Sequence, residues 1–71
     1  MSSYTNHDKA EAAHREVGQR KKVFPRLVAG GKMTAEFSAK QIALMEAIRD
    51  DYRRLAEAEK VAAAPQKEMQ L

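Results

Sequence analysis

The chain of 71 residues has no cysteine and no tryptophan, and it contains only three glycines and two prolines. The lack of cysteine excludes disulfide bonds, a thiol nucleophile and zinc sites built on thiolates. No apolar run approaches the roughly 20 residues of a membrane-spanning helix, so no membrane association is expected. The polar N-terminus has neither the basic start nor the apolar stretch of a signal peptide. These absences together predict an intracellular protein.

Large apolar side chains are also scarce. Leucine, valine, isoleucine and phenylalanine contribute only 12 of the 71 residues, whereas alanine alone contributes 13. A single core in so short a chain supplies about 3–5 kcal/mol, which leaves little room for a stable monomer. The size excludes a multidomain chain and an enzyme with a large enclosed pocket. The net charge of +3 is too small to indicate outright disorder.

The first arm of the chain is predicted to be helical. Thr5 or Asn6 supplies a cap for a helix that starts near Asp8, whose negative charge suits a helix N-terminus. Gly18 lies inside this helix, where glycine costs about 1 kcal/mol, and we expect it to mark a close approach of two helices. Apolar residues recur at steps of three and four, as one face of a helix requires: Ala10, Ala13, Val17, Phe24, Leu27 and Val28.

Proline and glycine are expected to interrupt the helical pattern in the middle of the chain. Pro25 cannot donate to the carbonyl four residues earlier. It either kinks the first arm or breaks it, and a break would make Pro25 the first residue of a short helix over 25–29. Gly30 or Gly31 then ends the arm with a left-handed cap.

The second arm is predicted as one long helix over 35–62. Thr34 is a favourable N-cap, and Pro65 is expected to end the helical region. The apolar stripe of this helix includes one polar residue and consists of Phe37, Gln41, Leu44, Met45, Ile48, Tyr52 and Leu55.

The sequence therefore predicts an all-α helical hairpin over 7–64, preceded by a disordered segment over 1–6 and followed by a flexible tail over 65–71. Two helices have one apolar seam and no third element to cover it. We expect a second copy to complete a four-helix bundle, or a larger partner to cover the hairpin. The residues assigned to the core or dimer seam are Val17, Phe24, Leu27, Phe37, Leu44, Ile48, Tyr52 and Leu55.

Positive charge is concentrated in the first arm and the turn. Residues 1–32 contain seven Lys and Arg against three acids, whereas residues 33–71 contain six against seven. Such a cluster either contacts phosphates or forms a solvated face. Met33 beside it is a candidate exposed apolar contact. The cluster, called here the basic elbow, consists of Arg20, Lys21, Lys22, Arg26 and Lys32.

Two groups of polar residues resemble a metal site and a catalytic site, but simpler explanations account for both. His7 and His14 lie seven residues apart, too far for one metal ion on a helix, where ligand pairs are usually four apart. Glu46, Asp50 and Asp51 are interleaved with arginines, which predicts a lattice of ion pairs rather than acid–base catalysis. No nucleophile with a base, phosphate-binding loop or dinucleotide motif is present. We therefore predict no catalytic residue, no metal, no cofactor and no enzymatic activity.

Several short motifs together resemble a group of small proteins encoded by bacteriophages and prophages of proteobacteria. Their pattern is V-[YF]-P-R, a Gly-Lys/Arg-Met turn, I-A-x-M-E-x-I and D-Y. The matching segments lie within 15–54 and are Val23-Phe24-Pro25-Arg26, Gly31-Lys32-Met33, Ile42-Ala43-Leu44-Met45-Glu46-Ala47-Ile48 and Asp51-Tyr52. Leu27 stands where many relatives carry Trp. The group has no assigned activity, so the resemblance implies only an accessory phage protein in the cytoplasm of a bacterial host.

Two hypotheses of function follow from these observations. In the first, the protein is a non-enzymatic interaction protein that docks its apolar seam or basic elbow on a bacterial or phage protein. Inhibition of a host defence system, such as CRISPR, is one form of this action. In the second, the protein is a small nucleic-acid-binding accessory factor that places the basic elbow on phosphates.

Overall fold

Helix α1 comprises Asn6–Ala29 and begins at a complete capping box. The structure, a computed structural model, describes the backbone of residues 3–69 and the side chains of residues 3–61. The Thr5 hydroxyl accepts a hydrogen bond from the Asp8 backbone N–H at 3.0 Å, and the Asp8 carboxylate accepts one from the Thr5 N–H at 3.3 Å. Of the two predicted caps, Thr5 is therefore the correct one, and Asn6 is already helical. This exchange satisfies two backbone donors at the helix start.

Pro25 lies inside α1, which continues for four residues beyond it. The alternative in which Pro25 breaks the arm and starts a helix over 25–29 is therefore wrong. Proline removes the hydrogen bond to the carbonyl of Lys21. Pro25 is exposed, so water can solvate that carbonyl and lower the cost of keeping the helix intact.

The elbow between the helices is a Schellman motif. The Gly31 N–H donates to the Val28 carbonyl at 3.1 Å, and the Lys32 N–H donates to the Leu27 carbonyl at 2.8 Å. Gly31 has φ +73°, whereas Gly30 has φ −83°. Of the two glycines proposed for the left-handed cap, Gly31 is therefore the one that adopts it. A residue with a Cβ would be strained in this conformation.

Helix α2 comprises Ala35–Met69 and is longer than predicted. The Thr34 hydroxyl accepts a hydrogen bond from the Phe37 N–H at 3.1 Å, which confirms Thr34 as the N-cap. The predicted end at residue 62 is wrong, since the helix continues to Met69. Pro65, expected to end the helical region, instead lies inside α2, although proline disfavours a helix interior. The alanines over 62–64 favour continuation of the helix up to it. The prediction of a flexible tail over 65–71 stays a prediction.

The two helices pack side by side as an all-α hairpin, as predicted, and residues 3–69 contain no strand. On α1 the predicted stripe does face α2: Ala10, Ala13 and Val17 are only 2–6 % exposed, and Phe24 and Leu27 are half-buried. The face of α2 that covers them is called here the inner stripe. It consists of buried or half-buried residues at alternating steps of three and four, together with Gln41: Ser38, Gln41, Ile42, Met45, Arg49, Tyr52 and Ala56.

The residues predicted for the core or dimer seam on α2 do not all pack against α1. Tyr52 belongs to the inner stripe, but the other four predicted residues lie outside the interface between the helices and are 41–52 % exposed. The reason is that α2 carries two stripes on neighbouring sides, and α1 packs against the one with the more polar members. The four exposed residues are Phe37, Leu44, Ile48 and Leu55.

Polar contacts join the helices over residues 6–21 of α1. Near the start of α1, the Asn6 side-chain amide donates to the Glu59 carboxylate, and the Lys9 ammonium lies 5.4 Å from the ring centre of Tyr52. Nearer the elbow, Lys21 forms an ion pair with Glu46 at 3.2 Å. These contacts fix the relative register of the two helices, which a seam with so few large residues would specify weakly.

The described hairpin is elongated, with extents of 60 × 22 × 17 Å. The two shorter dimensions correspond to a single pair of helices, each about 10 Å across. Neither helix, over the part of the chain that the structure describes, has the apolar length needed to cross a bilayer.

Candidate interaction surfaces

The most extensive exposed apolar feature is the outer stripe of α2, defined by Phe37, Leu44, Ile48 and Leu55. Their spacing of seven, four and seven residues keeps them within about 40° of one side of the helix, at about 100° per residue. The stripe is about 27 Å long at 1.5 Å per residue. Single exposed apolar residues are ordinary, but an aligned set of this length makes the outer stripe a candidate interaction site.

A row of charged residues borders the outer stripe on the side away from α1. This charged flank consists of Glu36, Lys40, Asp51 and Arg54, and all four residues are exposed. Asp51 and Arg54 already form an ion pair within α2. Between the two charged pairs lie Ala43 and Ala47, which are small.

The basic elbow does not form one surface, because two of its five members serve the hairpin itself. The Arg20 guanidinium donates to the Gln41 carbonyl at 2.8 Å, pairs with Glu16 at 3.0 Å and lies 5.8 Å from the ring centre of Phe24. Lys21 is occupied by its ion pair with Glu46. These two cations hold α1 on α2, so they are structural residues.

The other three members, Lys22, Arg26 and Lys32, are exposed, and none of them forms an ion pair within residues 3–61. Arg15 is also exposed and unpaired within that range, and its spacing of seven residues from Lys22 places it on the same outward side of α1. Arg15 lies outside the densest run of positive charge, so a count of charges along the sequence does not select it. The helical repeat would have found it.

Met33, predicted as an exposed contact, is half-buried in the elbow. Its side chain is therefore only partly accessible to a partner. The free cations of the elbow, rather than Met33, are the groups most available to a partner.

The acidic cluster of α2 forms the predicted ion pairs, with partners that differ in part from those expected. Asp50 pairs with Arg49 at 3.0 Å, and Asp51 pairs with Arg54. Glu46 pairs with Lys21 of α1. Each carboxylate thus has its own cation, which is the arrangement of a structural lattice.

The two histidines lie on the surface. His14 is within 3.3 Å of the Arg53 guanidinium, and His7 is exposed. Within the described residues, no group of three His, Asp or Glu side chains could hold a metal ion.

Gly18 is exposed, and a Cβ built there would meet no atom within 4 Å. The prediction that this glycine marks a close helix approach is therefore wrong. The close packing near the middle of α1 instead depends on Ala13 and Val17.

Comparisons with protein families, with curated proteins and with solved structures each returned no match.

Proposed function

We propose that the protein is a non-enzymatic interaction protein that acts as a homodimeric four-helix bundle and docks on a further partner. The observation that carries this proposal is the outer stripe of α2. Only Ala10, Ala13 and Val17 among the hydrophobic residues of the described chain are buried, which is a small core for a hairpin of two long helices. The four large residues of the outer stripe provide the apolar surface that a second pair of helices would cover.

The target in this proposal is a bacterial or phage protein in the cytoplasm of a bacterial host. The resemblance to short phage and prophage proteins supports this context, and inhibition of a host defence protein, in the manner of an anti-CRISPR, is the proposed form of action. The free cations Lys22, Arg26 and Lys32 are the contacts we assign to this target. Covering the outer stripe leaves them accessible, since they lie on α1 and the elbow.

Sedimentation equilibrium tests the dimer. We expect twice the chain mass of 8.0 kDa for the wild-type protein. Ile48→Asp should unfold or dissociate it, because the variant places a charge inside the covered stripe. Ala39→Asp is the matched control, since Ala39 is exposed and faces away from both stripes. A cooperative melt from a wild-type monomer would contradict the proposal.

The partner is sought by affinity capture from bacterial lysate, followed by mass spectrometry. The bait is the wild-type chain, and the control is the triple variant Lys22→Glu, Arg26→Glu, Lys32→Glu. A protein retained by the first and lost with the second is the expected result. Retention of the same proteins by both chains would exclude these cations as the contact.

A second candidate function, nucleic-acid binding, is favoured by one observation, a row of cations that form no ion pair within residues 3–61: Arg15, Lys22, Arg26 and Lys32. Phosphate binding by such a row is strongly salt-dependent. Four phosphate contacts predict a loss of affinity of about tenfold or more between low and physiological salt. A gel-shift titration at two salt concentrations tests it. Absence of binding at low salt would reject this function and leave the protein target.

A further inference from the structure

We infer that the outer stripe is covered by the outer stripe of a second copy, with the two α2 helices antiparallel about a two-fold axis at the level of Met45 and Glu46. This inference rests on the dimer proposed above and specifies its register. Three features of the outer stripe and the charged flank support it.

The first feature is the spacing of the outer stripe. The steps of seven, four and seven residues are the same in both directions along the helix. An antiparallel partner centred on the stripe therefore places Phe37 opposite the partner's Leu55, and Leu44 opposite the partner's Ile48. Every large apolar residue of the stripe meets another, and the two-fold axis repeats each contact.

The second feature is the order of signs along the charged flank, which is negative, positive, negative and positive. A two-fold axis perpendicular to the helices brings the same flank of both copies together. In this register Lys40 lies opposite the partner's Asp51, and Glu36 lies opposite the partner's Arg54. All four contacts between the two charged flanks therefore join opposite charges. Charged residues beside a helical seam determine in this way whether two helices pair parallel or antiparallel.

The third feature is the middle of the flank, where the axis passes. Ala43 and Ala47 are the residues there, and their small side chains allow the two helices to approach. A parallel arrangement would instead place this flank against the other side of the partner's α2, where α1 packs. The structure therefore favours the antiparallel pairing over the parallel one.

Charge reversal tests the register. Lys40→Asp alone places two like-charged pairs in each homodimer, and Asp51→Lys alone does the same. Each single variant is expected to raise the dimer dissociation constant about tenfold, the result of about 0.7 kcal/mol at each of two contacts. Glu57→Lys, on the side of α2 opposite the outer stripe, is the matched control and should leave the dissociation constant unchanged.

A mixture of the two single variants is the decisive arm. In the antiparallel register, the aspartate introduced by Lys40→Asp in one chain would face the lysine introduced by Asp51→Lys in the other. The second contact of this heterodimer would be the native pair. The mixed heterodimer should therefore recover wild-type affinity, although each variant alone dimerises weakly. Analytical ultracentrifugation of each variant alone and of the mixture measures this.

The outcomes separate the two levels of the proposal. If the wild-type protein is a dimer and the mixture associates no better than either variant alone, the register is wrong and the dimer stands. If the wild-type protein is monomeric at all concentrations, the proposed dimer fails, and the inference fails with it.

Discussion

The inner stripe of α2 is covered by α1 and yet is more polar than the exposed outer stripe. Hydrophobicity alone would predict the reverse. The inner stripe, which packs on α1, includes Ser38, Gln41 and Arg49 beside its apolar members. The outer stripe consists only of large apolar residues and remains 41–52 % exposed. This comparison indicates that α2 is suited to two neighbours, of which the single chain provides one. Four mutational experiments, from the largest expected effect to the smallest, test that distinction.

Substitution of the most confined large residue should have the largest effect. Val17 is 3 % exposed, and Val17→Asp buries a carboxylate without a partner, at a cost of about 3 kcal/mol or more. We expect loss of helical circular dichroism at every protein concentration. Val61→Asp is the control, because Val61 is exposed, and it should change stability by less than about 0.5 kcal/mol. A folded Val17→Asp variant would show that the inner stripe is not the core.

Neighbouring residues of α2 separate the two stripes directly. Met45→Ala removes a half-buried side chain from the inner stripe and should lower the free energy of unfolding by about 1–2 kcal/mol. Leu44→Ala changes the outer stripe. Its effect should increase with protein concentration, because only the proposed dimer would cover that residue. Thermal melts over a hundredfold range of concentration provide the measurement, and identical concentration dependence for both variants would contradict the distinction.

The basic elbow offers a comparison between a structural and a free cation. Arg20→Met loses the hydrogen bond to the Gln41 carbonyl and the pair with Glu16, which should cost about 1–2 kcal/mol. Lys22→Met removes an exposed charge without a partner and should change stability by less than about 0.5 kcal/mol. Urea unfolding of the two variants measures the difference. Equal midpoints would mean that Arg20 contributes nothing to the hairpin.

Two glycines should respond in opposite directions. Gly18→Ala is expected to stabilise the protein by about 0.5–1 kcal/mol, because the site is an open helix interior. Gly31→Ala should destabilise it by about 1 kcal/mol, since the residue has φ +73°. Thermal denaturation distinguishes the signs. A destabilised Gly18→Ala would indicate a contact on the outward face of α1 that the hairpin alone does not contain.

Local features of the fold were the most predictable from the sequence. Thr34 as a cap, a left-handed glycine at the elbow and the inward stripe of α1 follow from residue chemistry and spacing. The outcome at Pro25 depended on whether the freed carbonyl of Lys21 could be solvated. That depends on tertiary surroundings, which a local pattern does not contain.

The choice between the two stripes of α2 could not be made from periodicity alone. Both stripes repeat at helical spacing, and ranking by size selects Leu44 and Ile48. The face that packs is decided by its fit to Ala10 and Ala13 and by polar contacts across the helices, such as the one from Arg20 to the Gln41 carbonyl. These contacts also explain why the basic elbow is not one surface, since a count of charges does not reveal which cations are already bonded.

The short elbow also has a kinetic consequence. Only residues 30–34 separate the two helices. The contacts between the helices can therefore form first beside this short loop and then progressively farther from it, and each further contact costs little loop-closure entropy. Folding dominated by such near neighbours takes microseconds to milliseconds. Meeting of two chains is slower at low concentration, because its rate depends on how often they collide. If the proposed dimer forms, newly made chains would therefore first exist as closed hairpins with exposed outer stripes, to which a foreign helix could bind in place of the second copy.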